Sequence, residues 1–371
     1  DDSGVRRYFA GSFTGIDAFQ EQLDGDERLL APGEDGRIVY LVPGNERERQ
    51  RALELARGCR VERVVVVVPL SISDVYTAAA EVKALEYLAA DEALLAEDPL
   101  IDKELQQMLD EAQAHLSTQV SLLTQPGDST IWYHLGTPLE VHDVATLLAR
   151  LSDICDEAFS ATPKINNEMI VRHRLSGPLV NARKKVVMGI LERHAQERLG
   201  IQGENADASV FRTVLERTGL YRRTDDGFGF RYAQPEELRD PNLQAVWAQF
   251  QELVTKPTKQ PKDLESFFQQ LTEPPIGLRR GVIPILFAAA LRAFQSTLAI
   301  TDNRGEYLDD ILPSVIEDIC NSPNRYALTV IELNDAARAY LEALTQAFSH
   351  KRSTDLRDSG DLMREAFDAF E

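Results

Sequence analysis

The sequence predicts a mainly α-helical fold with a small N-terminal α/β layer, a helical hairpin, and winged-helix-like modules in which a helix precedes a two-stranded hairpin. Three observations lead to this prediction. Two apolar, β-branched runs at 37–43 and 62–68 flank a stretch with helical spacing. From Ser73 onward, leucines recur at intervals of three and four residues. The blocks 207–232 and 284–308 each have the pattern of a helix followed by a hairpin.

The N-terminal layer is predicted from two strands and the helix between them. The runs RIVYLVP and ERVVVVV enclose NERERQRALELARG, which has helical spacing. A crossover helix of this length usually joins parallel strands. Because two strands alone do not make a stable sheet, further strands must come from residues 1–36 or from polypeptide outside this sequence.

The following segments are predicted to be helical. The leucine series after Ser73 is interrupted at Pro99, which indicates an antiparallel hairpin of two helices. A turn cluster at 124–130 and the residues WYHLG then lead into a helix at 140–159. Another helix, at 176–200, is capped by Ser176 and closed by Gly200.

Later segments combine hairpins with one strongly apolar helix. A DDG turn at Asp226–Gly227 predicts a hairpin, and a second one is predicted around Asn303–Gly305. The helix in 284–294 is apolar on all sides and is expected at the centre of a C-terminal domain. A final helix is predicted from Asn334 to Phe348. Five segments result: a partial α/β layer at 1–72, a helical hairpin at 73–130, a helical domain with a winged-helix-like module at 131–254, a C-terminal helical and winged-helix-like domain at 264–349 that follows a proline- and lysine-rich linker at 255–263, and a charged tail at 350–371.

Composition narrows the class of protein. Of its residues, 43% are hydrophobic and 27% are charged, a composition typical of folded proteins. Its length of 371 residues exceeds the usual size of one domain. A net charge of -20 disfavours charge-driven binding of nucleic acid by the chain as a whole. Neither a signal peptide nor an apolar run of about 20 residues is evident. The three cysteines are far apart and have no metal-ligand spacing, so we expect reduced thiols, a cytoplasmic location and no membrane partner.

Motifs for catalysis are missing from the sequence. It contains no GxxxxGK[ST] loop, no GxGxxG, no GxSxG and no HExxH. Asp74, Glu81 and Lys83 superficially match a metal-dependent nuclease, but that site needs its Glu and Lys on a strand, and here they lie in an Ala-rich helix. No cofactor is therefore predicted for this chain, although a hydrolytic site built from distant carboxylates stays open.

A basic segment at 172–198 stands out in this acidic chain. It is opposed only by Glu192 and Glu197. Together with the predicted wing at 221–232 it offers eight candidate contacts to nucleic-acid phosphates: Arg172, Arg174, Arg183, Lys184, Lys185, Arg222, Arg223 and Arg231. The alternative is that these charges form salt bridges within the chain, for example with the acidic hairpin at 91–111.

Two stretches carry a family resemblance. TPKINNEMIVRHRLSGPLVNARKK and PPIGLRRGVIPILFAAALRAF resemble the region beyond the nucleotide-binding core in the large P-loop ATPase of bacteriophage-exclusion (BREX) defence systems and related giant prokaryotic ATPases. The order of the RIVYLVP-like strand, the hairpin and these motifs is also similar. Because those ATPases are far longer and carry a Walker A motif, the resemblance implies a fragment or a relative without the motor, with ATP and Mg²⁺ expected only in a parent ATPase.

Two functional hypotheses follow. The first is a non-catalytic scaffold or coupling region of an anti-phage defence ATPase, with protein subunits of a multi-component complex as partners. The second is a nucleic-acid-binding module that contacts DNA through the helix at 172–198 and the wing at 221–232.

Overall fold

The structure, a computed structural model, describes residues 5–25, 29–31, 33–91, 99–172, 174–258, 260–294, 298–308 and 310–330, together with 339, 340 and 343. This part of the chain contains eleven α-helices and ten strands, with 52% of residues helical and 15% in strands. The predicted mainly α fold is wrong, because the protein is mixed α/β with a five-stranded sheet near its N-terminus. Two of those strands come from 130–139, where the sequence suggested only a turn cluster leading into a helix.

The chain divides into two compact units, and the first is Arg7–Ala158. Its elements in order are β1 (Phe9–Gly15), α1 (Ile16–Asp24), β2 (Gly36–Val42), α2 (Glu46–Gly58), β3 (Val64–Pro69), α3 (Ser73–Ala89), α4 (Pro99–Thr124), β4 (Thr130–His134), β5 (Thr137–Leu139) and α5 (Val144–Ala158).

The sheet of this unit has the strand order β1-β2-β3-β4-β5. β1, β2 and β3 are parallel, and β4 and β5 are each antiparallel to the strand before them. The predicted β-α-β unit is therefore confirmed in β2, α2 and β3. The expectation of a further strand within residues 1–36 is confirmed by β1.

Apolar clusters cover both faces of this sheet. On one face Val66 packs with residues of α1 and α2, including Phe19 and Leu53. On the other face Val65 packs with Trp132 and with residues of α5. All six residues of β3 are buried, as expected for a strand between two helical layers. The helices α3 and α4 pack together through a smaller cluster of their own, formed by Val82, Leu85, Leu105 and Ala112.

The second unit comprises Asp1–Arg6 and Phe159–Glu371. Its elements are α6 (Gly177–Glu192), a 3-10 turn (Glu197–Gly200), α7 (Ala206–Phe211) with a π-helical continuation (Arg212–Glu216), β6 (Tyr221–Arg223), β7 (Phe230–Tyr232), a 3-10 turn (Pro235–Glu237), α8 (Pro241–Thr255), β8 (Lys262–Asp263), α9 (Leu264–Thr272), α10 (Ile283–Ala293), β9 (Leu298–Asp302), α11 (Pro313–Asn321), a 3-10 turn (Pro323–Arg325) and β10 (Tyr326–Val330).

One core runs through this unit. The residues of α10 from Ile283 to Ala290 are all buried, which confirms that this apolar helix lies inside a core. The same core includes Val254 and Leu264, on either side of the stretch 255–263 where the sequence suggested a linker. Packing is therefore continuous across that stretch.

The two predicted helix-and-hairpin blocks differ in the structure. β6 and β7 pair as an antiparallel hairpin with Gly227 in its turn, at φ 75°. In the second block the chain turns back at Gly305, with φ 81°, and Thr301 pairs antiparallel with Tyr307, so the predicted turn around Asn303–Gly305 is present. β9 also pairs with β10, which pairs with β8, so this block belongs to a three-stranded sheet and is not a separate two-stranded wing. Of the helix predicted from Asn334 to Phe348, the structure describes 339, 340 and 343; the charged tail lies outside the described residues.

Candidate interaction surfaces

Arg183 is the most deeply placed of the predicted phosphate contacts. It lies on the buried side of α6 and is 6% exposed, facing the 5% exposed Glu317 of α11. Its Nε donates to Glu317 Oε1 at 2.8 Å and its Nη2 donates to Oε2, so the two side chains form a bidentate ion pair. Its Nη1 donates to the Gly281 carbonyl at 3.1 Å. Because each of these three nitrogens has an acceptor inside the protein, Arg183 links α6 to α11 and is not presented to solvent.

The remaining cations of the basic segment lie nearer the surface. Arg172, Arg174 and Lys185 are exposed, and Lys184 is half-buried. The Nε of Arg172 donates to the Glu168 carbonyl at 2.8 Å. Among the described residues, neither Arg174 nor the two lysines has a carboxylate partner within 4.0 Å. These cations are the part of the predicted basic surface that is presented to solvent.

The arginines of the hairpin β6–β7 are paired with carboxylates. Arg231 donates from both terminal nitrogens to Glu237, each at 2.7 Å. Arg222 lies 3.7 Å from the same carboxylate, and Arg223 lies 3.0 Å from Glu197. The hydrogen bonds from Arg231 lower the pKa of the Glu237 carboxyl to about 2. The alternative of intramolecular salt bridges therefore describes Arg183 and the three hairpin arginines, with acceptors in their own unit.

Of these acceptors, the sequence indicated only Glu197, as a charge that opposes the basic segment. The hairpin at 91–111 was the predicted example because it is dense in acidic residues, whereas Glu237 and Glu317 lie outside it. Glu237 follows Arg231 by six residues and reaches it through the 3-10 turn Pro235–Glu237. Glu317 is 134 residues from Arg183. Only the first of these carries a local signal, in the short spacing of FRYAQPEE.

Phe228, Phe230 and Tyr232, the aromatic residues in the turn and second strand of the hairpin, have different environments. Phe230 stacks on Tyr221 with ring centroids 5.5 Å apart and planes at 4°, and Tyr232 is buried. Phe228, in the turn between the strands, is 94% exposed. Strand packing therefore accounts for Phe230 and Tyr232, while Phe228 projects into solvent.

The turn that carries Phe228 is held by hydrogen bonds. The Asp226 carboxylate accepts from the Phe228 N–H at 3.1 Å and from the Thr224 hydroxyl. The Gly229 N–H donates to the Thr224 hydroxyl oxygen at 2.9 Å, and the Thr224 N–H donates to the Gly229 carbonyl at 2.9 Å. The hydrogen bonds to Asp226 lower the pKa of its carboxyl. The turn is thus ordered and keeps a negative charge beside Phe228.

The base of the hairpin is also anchored. The Tyr221 hydroxyl lies 2.9 Å from the His194 carbonyl and within hydrogen-bond distance of the Gln196 carbonyl. These acceptors precede a left-handed turn in which Arg198, Leu199 and Gly200 have φ values of 50°, 54° and 68°. Burial raises the pKa of Tyr221, so its hydroxyl stays protonated and able to donate. The hairpin is therefore fixed at its base as well as at its tip.

Other predicted sites can be located. Glu81 and Lys83 are exposed on α3, on a helix as the sequence indicated. Within the described ranges, no group of three or more His, Cys, Asp or Glu residues is arranged to hold a metal ion.

The three cysteines are free, with Cys59 and Cys155 buried. Burial raises the pKa of Cys155 to about 11. In the part of the chain that the structure covers, no helix is both long and apolar enough to cross a membrane.

Comparisons of this chain with protein-family models, with curated proteins and with solved structures found no match.

Proposed function

We propose that this chain is a cytoplasmic, non-catalytic docking region of a prokaryotic anti-phage defence assembly, and that the hairpin β6–β7 inserts Phe228 into an apolar pocket on a partner subunit. The resemblance of 162–185 and 274–294 to the large defence ATPases supplies the biological context. The observation that carries the docking role is the 94% exposure of Phe228 on an ordered turn.

An ordered turn makes Phe228 an effective anchor. Burial of a Phe side chain contributes about 1.5–3 kcal/mol, and aromatic residues are enriched in the cores of protein interfaces. Single exposed apolar residues are common on protein surfaces, and Phe228 is distinguished by its place on a hydrogen-bonded turn. Because the turn at Thr224 and Asp226 is already fixed, little conformational freedom is lost on binding.

Charges near the tip indicate the chemistry of the partner. Asp225 and Asp226 flank Phe228 on the N-terminal side, and the nearby arginines are paired with carboxylates. A pocket with an apolar floor and a rim of Lys, Arg or backbone N–H groups is complementary to this tip. Phosphate groups are not, because the tip presents carboxylates to them.

The first experiment identifies the partner and then measures its affinity. A photo-crosslinking amino acid is placed at Phe228 of the full chain in cells that carry the native gene, and at Tyr307, which is 68% exposed, as the matched position. We expect a crosslinked protein specific to Phe228. With that protein purified, Phe228→Ala should weaken binding by about 10- to 100-fold, the equivalent of burying one Phe side chain, and Tyr307→Ala should not.

Three outcomes would contradict this proposal. One is an affinity unchanged by Phe228→Ala. Another is the same crosslinked proteins at both positions. The third is robust ATP hydrolysis by the purified chain, which would contradict the non-catalytic role.

Nucleic-acid binding is the second candidate, favoured by the solvent-accessible cations of the basic segment. The variant to test is Arg174→Glu with Lys184→Glu and Lys185→Glu, with Arg183 retained because it is buried against Glu317. If DNA is the ligand, wild-type protein shifts duplex DNA at low salt, the shift declines steeply with salt, and the triple variant abolishes it. Unchanged DNA migration at low salt would exclude this candidate.

A further inference from the structure

The two edges of the five-stranded sheet differ in how they are protected. β5 is three residues long and contains Pro138, which has no N–H to offer a further strand. β1 spans seven residues, FAGSFTG, without a proline or a charged residue, in a chain that is 27% charged. Natural proteins usually block sheet edges with charges, prolines or short strands. The β1 edge has none of these features.

The side chains of β1 follow a regular pattern. Phe9, Gly11, Phe13 and Gly15 alternate along one face of the sheet, and Ala10, Ser12 and Thr14 lie on the other face. The ring of Phe9 lies over Gly36 of β2, so close that a Cβ at Gly36 would be 2.3 Å from a ring atom. Phe13 packs on Tyr40 with ring centroids 5.2 Å apart and is still 52% exposed. β1 therefore already uses aromatic-over-glycine packing towards β2.

We propose that β1 pairs antiparallel with β1 of a second copy of this chain, about a two-fold axis at Ser12. In this register Phe9 is opposite Gly15, Gly11 is opposite Phe13, and Ser12 is opposite the same residue of the second copy. Each phenylalanine is then opposite a glycine of the second copy, and since the rings of Phe9 and Phe13 pack towards β2, no two aromatic rings compete for the same space where the two strands meet. The pairing joins two five-stranded sheets into one continuous sheet and satisfies the outer backbone groups of both strands.

Self-complementarity is the reason for choosing a second copy over an unrelated strand. Read in reverse, the Phe-Gly-Phe-Gly face becomes Gly-Phe-Gly-Phe, which fits the original position by position. The other face pairs Ala10 with Thr14, which are both small and uncharged. A shift of two residues would lose this match, because Phe9 would then be opposite Phe13 and Gly11 opposite Gly11.

The strength of this dimer should depend on salt. A net charge of -20 on each chain opposes association, and added salt screens that repulsion. A seven-residue edge also buries less than the roughly 1,200–2,000 Å² of a standard interface. We therefore expect a weak dimer that is populated at higher protein concentration and that tightens as salt is added.

Sedimentation equilibrium of the full chain across the micromolar range tests the proposal. Wild-type protein should show a monomer–dimer equilibrium that shifts towards dimer at higher salt. Ser12→Lys places like charges directly opposite each other and should weaken the dimer by up to about fivefold, the equivalent of about 1 kcal/mol. Phe13→Lys should have a similar effect. Thr137→Lys, on the β5 edge, is the matched control and should leave the equilibrium unchanged.

A disulfide test fixes the register. Residues directly opposite in an antiparallel pair have Cα atoms about 4.5–5.5 Å apart, within the range that a disulfide spans. Under mild oxidation Ser12→Cys should form a covalent dimer with itself. Phe13→Cys, which would face Gly11, and wild-type protein should not.

Certain results would overturn the proposal. They are a monomer at every concentration and salt, a dimer unaffected by both lysine variants once circular dichroism shows them folded, or a disulfide at residue 13 but not at residue 12. The proposal is independent of docking through Phe228, because Phe228→Ala should leave the monomer–dimer equilibrium unchanged.

Discussion

Arg183 and Arg231 each form a bidentate ion pair with a glutamate, but the two pairs differ in burial. The side chains of Arg183 and Glu317 are each 7% exposed, whereas those of Arg231 and Glu237 are 30% and 28% exposed. In the sequence both arginines belong to one basic pattern. In the structure one joins two helices inside the core, and the other braces a surface hairpin.

This difference shows that a concentration of arginines does not by itself reveal a binding surface. A buried charge left without its partner destabilises the fold strongly, because the remaining group has lost its water. A half-buried pair at the surface, such as Arg231–Glu237, contributes about 1 kcal/mol, since water competes with it. Burial therefore determines how much each pair contributes to the free energy of unfolding.

The largest effect is expected from Arg183→Met. This variant keeps the packing of the side-chain stem but leaves the Glu317 carboxylate buried without its partner, so the free energy of unfolding should fall by about 3–5 kcal/mol. Urea unfolding of the second unit can be followed by the fluorescence of Trp247, which is buried in its core. The variants are made in a Trp132→Phe background, so that the other tryptophan of the chain does not contribute to the signal. Arg231→Met is the matched control. A loss below about 1 kcal/mol for Arg183→Met would contradict the comparison.

A smaller effect is expected when both partners of the buried pair are replaced. Arg183→Met with Glu317→Leu removes both charges and fills the space with apolar atoms. Such replacements are often neutral or stabilising, so the double variant should unfold within about 1 kcal/mol of wild type. The measurement is the same urea titration with all four members of the cycle. If the double variant is as unstable as the two single variants added together, packing and not charge pairing explains the first result.

Sequence patterns predicted the strongly apolar elements well. β2, β3 and α10 have runs of buried apolar residues long enough to identify strands and a helix locally. A strand was expected somewhere within residues 1–36, but the position of β1 was not predicted, and β4 and β5 were not predicted at all. β1 is rich in glycine and small residues, and β5 is three residues long with a proline in it. The extended conformation of β1 and β5 therefore depends on a neighbouring strand, whereas β4, TIWYH, consists mostly of β-branched and aromatic residues and does carry a local strand signal.

The interaction surfaces were predictable only in part. The Asp226–Gly227 turn is a local signal, and it placed Phe228 in the hairpin. Whether Phe228 faced solvent or the core depended on the pairing of β6 with β7. The Arg183–Glu317 pair joins residues far apart in sequence, so no local pattern could indicate it.

Acid should weaken the half-buried pair Arg231–Glu237 in a defined pH range. Arg231 lowers the pKa of Glu237 to about 2 from an ordinary value of 4.5, so its contribution is fully present above about pH 4.5. The contribution is lost as the pH falls from 4.5 towards 2. We expect Arg231→Gln to cost about 1 kcal/mol at pH 6, with the difference from wild type shrinking as the pH is lowered. Urea unfolding of both proteins from pH 6 to pH 3 measures this, and a difference independent of pH would show that Glu237 does not titrate through this pair.

The smallest effect is expected from Arg223→Gln. Arg223 is 3.0 Å from Glu197, but the two side chains are 61% and 67% exposed, and its guanidinium lies 5.3 Å from the centre of the Phe230 ring. Exposed ion pairs and exposed cation–π contacts each contribute little, so the free energy of unfolding should change by about 0.5 kcal/mol or less, and by still less at high salt. The same urea titration at low and high salt measures it. A loss above about 1 kcal/mol that persists at high salt would mean that solvent exposure does not determine the contribution of an ion pair to the free energy of unfolding. The position of the arginine within the hairpin would then determine it.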